Sequence, residues 1–208
     1  ADLVGAAAGC LLIIWLLEQS DITTTAIVTG ACCALGSACF ARAAGRGGAG
    51  SAVLTAVMLA AGVANATAAH PLGVLYPKDQ WLWLRDDIVQ YSKWNAHSYV
   101  TVWKPMPKTP QYWGPARDAP QPQVMIAHAN IDGQAGTAIT EWDGDPDSID
   151  WVQYDVTALP YYLRQGRMGI IRVGGGRDVL TAIRFGNPSI TGIEINKSIL
   201  GAIEGPYR

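Results

Sequence analysis

The stretch from Met168 to Asn196 constrains the fold most. A run of β formers, Ile170–Val173, meets Gly174, Gly175 and Gly176; helical spacing follows near Arg177–Phe185, and a second β run from Ser189 ends at Glu194. Strand, glycine turn, helix and strand in that order form a βαβ unit, whose strands lie parallel because the crossover helix returns the chain to the same end. Glycines can take positive φ and let a backbone approach a ligand closely. The turn also aims free amides of the following helix at whatever sits there. Glu194 falls eighteen residues after Gly176, where an acid can accept hydrogen bonds from both hydroxyls of a ribose. The full dinucleotide pattern wants a further glycine at position 179, and this chain has Val179. A nucleoside ligand without pyrophosphate at the turn is therefore favoured over a nicotinamide dinucleotide.

Charge divides the chain. Residues 1–70 carry only Asp2, Glu18, Asp21, Arg42 and Arg46, and the other 27 of 32 charged side chains follow. Ile22–Ala41 and Gly47–Pro77 are free of charge over twenty and thirty-one residues, and Leu3–Leu17 adds a shorter apolar run. About twenty apolar residues cross a hydrocarbon core, so residues 1–70 read as a transmembrane region of about three spans, the first truncated. An Ala-rich buried bundle is the competing architecture, but a surface helix would show a polar face every turn or so. Small residues four apart, as at Gly30, Ala34 and Ala38, let helix backbones approach closely. That favours packing against protein over lipid alone, so the expected partners are membrane lipid and other membrane subunits. Cys10, Cys32, Cys33 and Cys39 lack metal-ligand spacing and read as small buried hydrophobes. A net charge of −2 gives no reason to expect nucleic acid. With no ionisable residue inside the spans, an ion path has little support. The tally of flanking Lys and Arg leaves the orientation open.

Residues 71–123 are expected to form an interfacial segment. Apolar residues at 81, 84, 88, 91 and 94 predict a helix over Trp81–Trp94, at the membrane surface or capping the soluble part. Ser98–Trp103 alternates as a strand, and six of the twelve prolines between 105 and 122 predict a loop. Residues 124–160 read as a hairpin domain turning at Asp132-Gly133 or Ala135-Gly136. The acidic stretch Asp143–Asp150 lacks the twelfth-position glutamate of a calcium loop and reads as a solvated turn. His70, His97 and His128 stand alone, so no metal ligands are assigned.

Several pieces together carry a family resemblance: Lys93-Trp-Asn-Ala-His-Ser-Tyr-Val100, Ile131-Asp-Gly133, Tyr154-Asp-Val-Thr-Ala-Leu-Pro-Tyr161, Val173–Ala182 and Gly192-Ile-Glu-Ile-Asn196. Between about Tyr91 and Leu200 the chain resembles the membrane-bound, spermidine-synthase-like group of S-adenosylmethionine-fold proteins. The resemblance implies an α + α/β protein: N-terminal transmembrane helices, a small β-hairpin domain, and a Rossmann-like βαβ unit over residues 161–208. It also implies that Gly174, Gly175, Gly176 and Glu194 hold the adenosyl moiety of S-adenosylmethionine or its decarboxylated form. The soluble part then faces the cytosol from a bacterial inner membrane. The family's hairpin glutamine is not at the matching spacing, since Gln134 directly follows Gly133. The acids that serve aminopropyl transfer belong to a later strand, and the chain runs only twelve residues past Asn196. It therefore reads as a truncated Rossmann-like core, with no catalytic residue assigned and catalysis not expected of the chain as it stands. A longer natural chain would be an aminopropyltransferase or methyltransferase-like enzyme. The alternative is an accessory subunit that keeps a remnant of the fold within a larger membrane complex. Of the visible acids, only Asp155 and Asp178 are candidate bases, and Asp178, in the first helical turn, fits better as a dipole partner.

Overall fold

The computed structural model describes residues 2–69, 71–74 and 87–207. The chain divides into two compact units, Ala1–Tyr76 with Lys93–Ser98, and Pro77–Ser92 with Tyr99–Arg208.

The first unit is helical: α1 (Asp2–Gln19), α2 (Ile22–Ala43) and α3 (Ala49–Thr67). Asp21 starts α2 by accepting the Thr24 amide at 2.9 Å and the Thr24 hydroxyl at 2.7 Å, so two donors at the helix start are satisfied at once. A short link turns the chain back, and α2 and α3 pack along a seam of small residues. Ala31, Ala34 and Ala38 are buried there. Gly30 leaves room for the tip of Met58, and Gly62 for Val28. At one end Asn65 donates to the Thr24 hydroxyl at 2.9 Å and accepts the Leu72 amide at 2.7 Å. Large apolar side chains point outward, Phe40 at 80% and Val53 at 63% exposure among them. By length and composition α2 and α3 can each cross a membrane, and the apolar part of α1, Leu3–Gln19, is shorter. All four cysteines are exposed, contrary to their expected burial. The seam is filled by Ala, Gly and Thr, which leaves the thiols on the outer faces.

The second unit joins an antiparallel sheet to a parallel pair. Its strands are β1 (Val89–Trp94, of which Val89–Ser92 belong to this unit), β2 (Tyr99–Trp103), β3 (Met106–Lys108), β4 (Val124–Ile131) and β5 (Ala135–Thr140), in the order β1-β2-β4-β3 with β5 on β4. Where helical spacing predicts a helix through Trp94, Val89–Trp94 is a strand; residues 81–86 of that expectation lie outside the described residues. The reason is local alternation: Val89 and Tyr91 turn inward while Gln90 and Ser92 are exposed, a period of two. β4 pairs with β2 through Val102↔Ala129 and with β3 through Met106↔Ile126. Four residues of chain thus oppose three of β4, a bulge-like slip at Pro105, which has no amide to give to a ladder. The β4–β5 hairpin closes Ile131 onto Ala135. Its turn is Asp132–Gln134, with Asp132 and Gly133 at positive φ. Val100, Val102, Ala127, Ala129 and Ile139 form one core, against Ile199 and Ala202.

Two 3-10 segments follow, Pro146–Tyr154 and Val156–Ala158, then α4 (Leu159–Leu163), β6 (Arg167–Ile171), α5 (Arg177–Arg184), β7 (Ser189–Ile193) and α6 (Lys197–Glu204). The acidic stretch forms a capped turn, in which Asp145 accepts the Asp147 amide at 2.9 Å. β6 and β7 are parallel, in register from Arg167↔Ser189 to Ile171↔Ile193. One face of this pair is covered, with Ile170 and Ala182 buried beside Tyr161. The other is open: Ile171 and Ile195 are 75% and 74% exposed, although parallel pairs are ordinarily covered on both faces.

Candidate functional site

The site begins where the two parallel strands end. The Arg172 amide donates to the Ile193 carbonyl at 2.7 Å and extends the ladder by one bond. The chain then turns sharply, with Arg172, Gly174 and Gly176 at φ of 63°, 54° and 87°. The Gly176 amide closes this turn on the Val173 carbonyl at 2.9 Å, and the Gly176 carbonyl accepts the first helical bond of α5, from Leu180. Left-handed backbone is nearly free for glycine but costs roughly 1 kcal/mol at Arg172.

Glu194 reaches across from β7. One carboxylate oxygen accepts the Gly174 amide at 3.1 Å and the other the Asn196 amide at 2.8 Å. The fold thus brings the predicted acid onto the predicted turn. Gly175 serves a different end. Its amide donates to the Thr137 hydroxyl at 3.0 Å. A Cβ there would stand 1.9 Å from the Ala138 carbonyl oxygen. Its missing side chain admits β5 rather than a ligand, so the three glycines divide their work between conformation and packing.

Of the two candidate bases, Asp155 is fully engaged. Its buried carboxylate accepts the amides of Trp113 at 2.8 Å, Gly114 at 3.2 Å and Thr157 at 3.3 Å, and pairs with Arg177. Burial alone would raise its pKa, but the Trp113, Thr157 and Gly114 amides and the Arg177 charge together hold it below the usual carboxylate range. Arg177 also donates to the Gln111 carbonyl at 2.7 Å and lies over the rings of Tyr112 and Trp151. This clasp fastens the proline-rich arm to the start of α5. Asp178 is half-buried, and burial pushes its pKa up, with Arg177 opposing and Asp155 adding to the shift.

A cavity of about 960 Å³ adjoins the turn. Gly175, Gly176, Val179 and Ile183 supply one wall, Ile139 to Trp142 another, and Ile203, Glu204, Pro206 and Tyr207 a third. Glu194 is not among its lining residues. Sequence reasoning singled out neither the cavity nor the clasp, because both are assembled from segments far apart in the chain. A signal for the clasp did exist: an acid inside the apolar run Trp151–Pro160 needs partners if it is buried.

Among the described residues, no group of three or more His, Cys, Asp or Glu is placed to hold a metal ion. Compared with protein-family models, curated proteins and solved structures, the chain matches none.

Proposed function

We propose that this chain is a membrane-anchored, spermidine-synthase-like protein that binds the adenosyl moiety of S-adenosylmethionine or its decarboxylated form at the Rossmann-like ends of β6 and β7. The observation that carries this reading is the Glu194 carboxylate, pinned between the Gly174 and Asn196 amides. A carboxylate offers roughly four acceptor positions, and the two amides use two of them. The remainder suits the paired hydroxyls of a ribose, and the group is held in place before the ligand arrives. Ligands of open α/β sheets bind beyond the carboxyl ends of the strands, which is where Glu194 stands. In this reading α2 and α3 span a bacterial inner membrane and the soluble unit faces the cytosol.

The test is calorimetric titration of the purified full chain in lipid nanodiscs with S-adenosylhomocysteine. Saturable binding that weakens at least tenfold in Glu194→Ala is expected. Absence of binding by the unaltered chain to this ligand, to S-adenosylmethionine and to the decarboxylated form would overturn the reading.

The open face at Ile171, Ile193 and Ile195 favours a second reading, an accessory subunit that keeps the fold as a docking module. Native mass spectrometry after gentle extraction separates the two: release only with other proteins supports the accessory subunit, release alone or as a homo-oligomer the first reading.

A further inference from the structure

The glycine turn is held from two sides. Two successive amides go to different side chains: Gly174 donates to Glu194 at 3.1 Å, and Gly175 to the Thr137 hydroxyl at 3.0 Å. Thr137 belongs to the hairpin, 38 residues earlier in the chain than Gly175. The approach is close. A Cβ on Gly174 would stand 3.4 Å from the Thr137 hydroxyl oxygen, and one on Gly175 only 2.9 Å from it. Gly175 is buried, and a buried amide left without an acceptor is costly. The Thr137 hydroxyl supplies that acceptor.

The strand that carries Thr137 is firmly seated. Thr137 pairs with Ala129 across the β4–β5 ladder, and Ala129 shares one core with Ile139, two residues further along β5. The same core takes in Ile199 and Ala202 of α6. That helix starts at Asn196, whose side chain accepts the Ser198 amide at 3.1 Å and whose own amide meets Glu194 at 2.8 Å. One sheet therefore anchors both sides of the site, the turn through Thr137 and the acid through α6. The anchors differ in kind. α6 is held by apolar packing spread over several residues, whereas the turn meets β5 through one hydroxyl.

We propose that Thr137 is a positioning residue for the adenosyl site. Its hydroxyl fixes the Gly175 amide, and through it the adjoining Gly174 amide and the Glu194 carboxylate, in the arrangement that receives a ribose. The proposal rests on the adenosyl reading and adds to it a hairpin residue that acts without touching the ligand. A site ordered before its ligand arrives binds more tightly, because less ordering is left to do.

The test is calorimetric titration of S-adenosylhomocysteine into the full chain in lipid nanodiscs, with three substitutions. Thr137→Val keeps the shape and removes the acceptor, Thr137→Ala removes acceptor and bulk, and Thr137→Ser keeps the acceptor. Affinity should fall roughly fivefold to tenfold in the first two, the worth of one hydrogen bond. It should stay within about twofold in Thr137→Ser. Without ligand, exchange of the Gly175 amide should quicken in Thr137→Val and Thr137→Ala and not in Thr137→Ser. A double-mutant cycle separates positioning from a general structural role. Thr137 acts through the turn and its acid, so adding Thr137→Val to Glu194→Ala should weaken binding by less than about twofold further. The full loss repeated in that background, unchanged affinity in Thr137→Val, or an equal loss in Thr137→Ser would each overturn the proposal. Absence of binding by the unaltered chain would instead sink the adenosyl reading, and this proposal with it.

Discussion

The two units of this chain sort their side chains in opposite ways. In the sheet unit the large apolar residues are inside: Val100, Val102, Ile149 and Val152 are at most 1% exposed. In the helical unit the interior belongs to Ala31, Ala34, Ala38, Thr24 and Asn65, while Leu35, Phe40, Val53 and Val63 face outward. Water drives the first arrangement by expelling apolar surface. Expulsion of large apolar side chains does not describe the second, where small residues and a few hydrogen bonds fill the seam. The same side chain therefore carries opposite weight in the two halves. A hydrocarbon or protein exterior for α2 and α3, as proposed above, accounts for that inversion.

The sharpest break of the comparison is Asp155→Ala. In the sheet unit a buried charge is tolerated only because Arg177 and three amides meet it, and removing one partner of such a pair costs about 3–5 kcal/mol. Thermal unfolding followed by tryptophan signal should show that loss. The helical unit's far-ultraviolet signal should melt as before, since the clasp lies wholly in the other unit. The acid limb gives a second readout. Asp155's pKa in the fold lies below its unfolded value of about 3.9. Its stabilisation is therefore present above about pH 4 and lost as pH falls through the folded value. Asp155→Asn should flatten that limb.

Next in size is a pair of neighbours on α2. Ala34 is buried in the seam and Leu35 is 53% exposed. Ala34→Leu should cost the α2–α3 pair about 1–3 kcal/mol through overpacking, measured by unfolding in detergent. Leu35→Ala should stay within about 0.5 kcal/mol. In a water-soluble core the larger loss would follow the removal of leucine. Equal effects at the two positions would erase the contrast between the units.

What could be read from the sequence follows this division. The charge-free runs and the glycine turn were legible because each rests on a local pattern: apolar length for α2 and α3, and a change of period from two to 3.6 around Gly174. β1 was not, because apolar residues from Trp81 to Trp94 fit a helical count while alternation at Val89 and Tyr91 decides the strand. The cysteines were misjudged because the α2–α3 seam is filled by Ala, Gly and Thr, which leaves the thiols on the outer faces. The Asp155–Arg177 clasp depends on where a proline-rich arm lands, which no local period encodes.

The smallest expected effect tests the internal logic of the sheet unit. Asp178 stands at the start of α5, one residue from the clasp, yet its pKa moves opposite to that of Asp155. Two forces compete there. The helix start favours a negative charge by roughly 0.3–1 kcal/mol, and burial disfavours it. Burial, with the Asp155 charge adding to it, also outweighs the opposing Arg177 charge, so the net shift is upward. Because the folded pKa exceeds the unfolded value, the penalty is absent below about pH 4 and grows as pH rises through the folded pKa. Asp178→Asn should therefore stabilise the unit at neutral pH by a few tenths of a kcal/mol, solvent screening at this half-exposed group keeping the gain small. The gain should vanish in acid. A loss of stability at neutral pH would instead mean that the dipole outweighs burial, and Asp178 would join Asp155 as a carboxylate the fold needs charged.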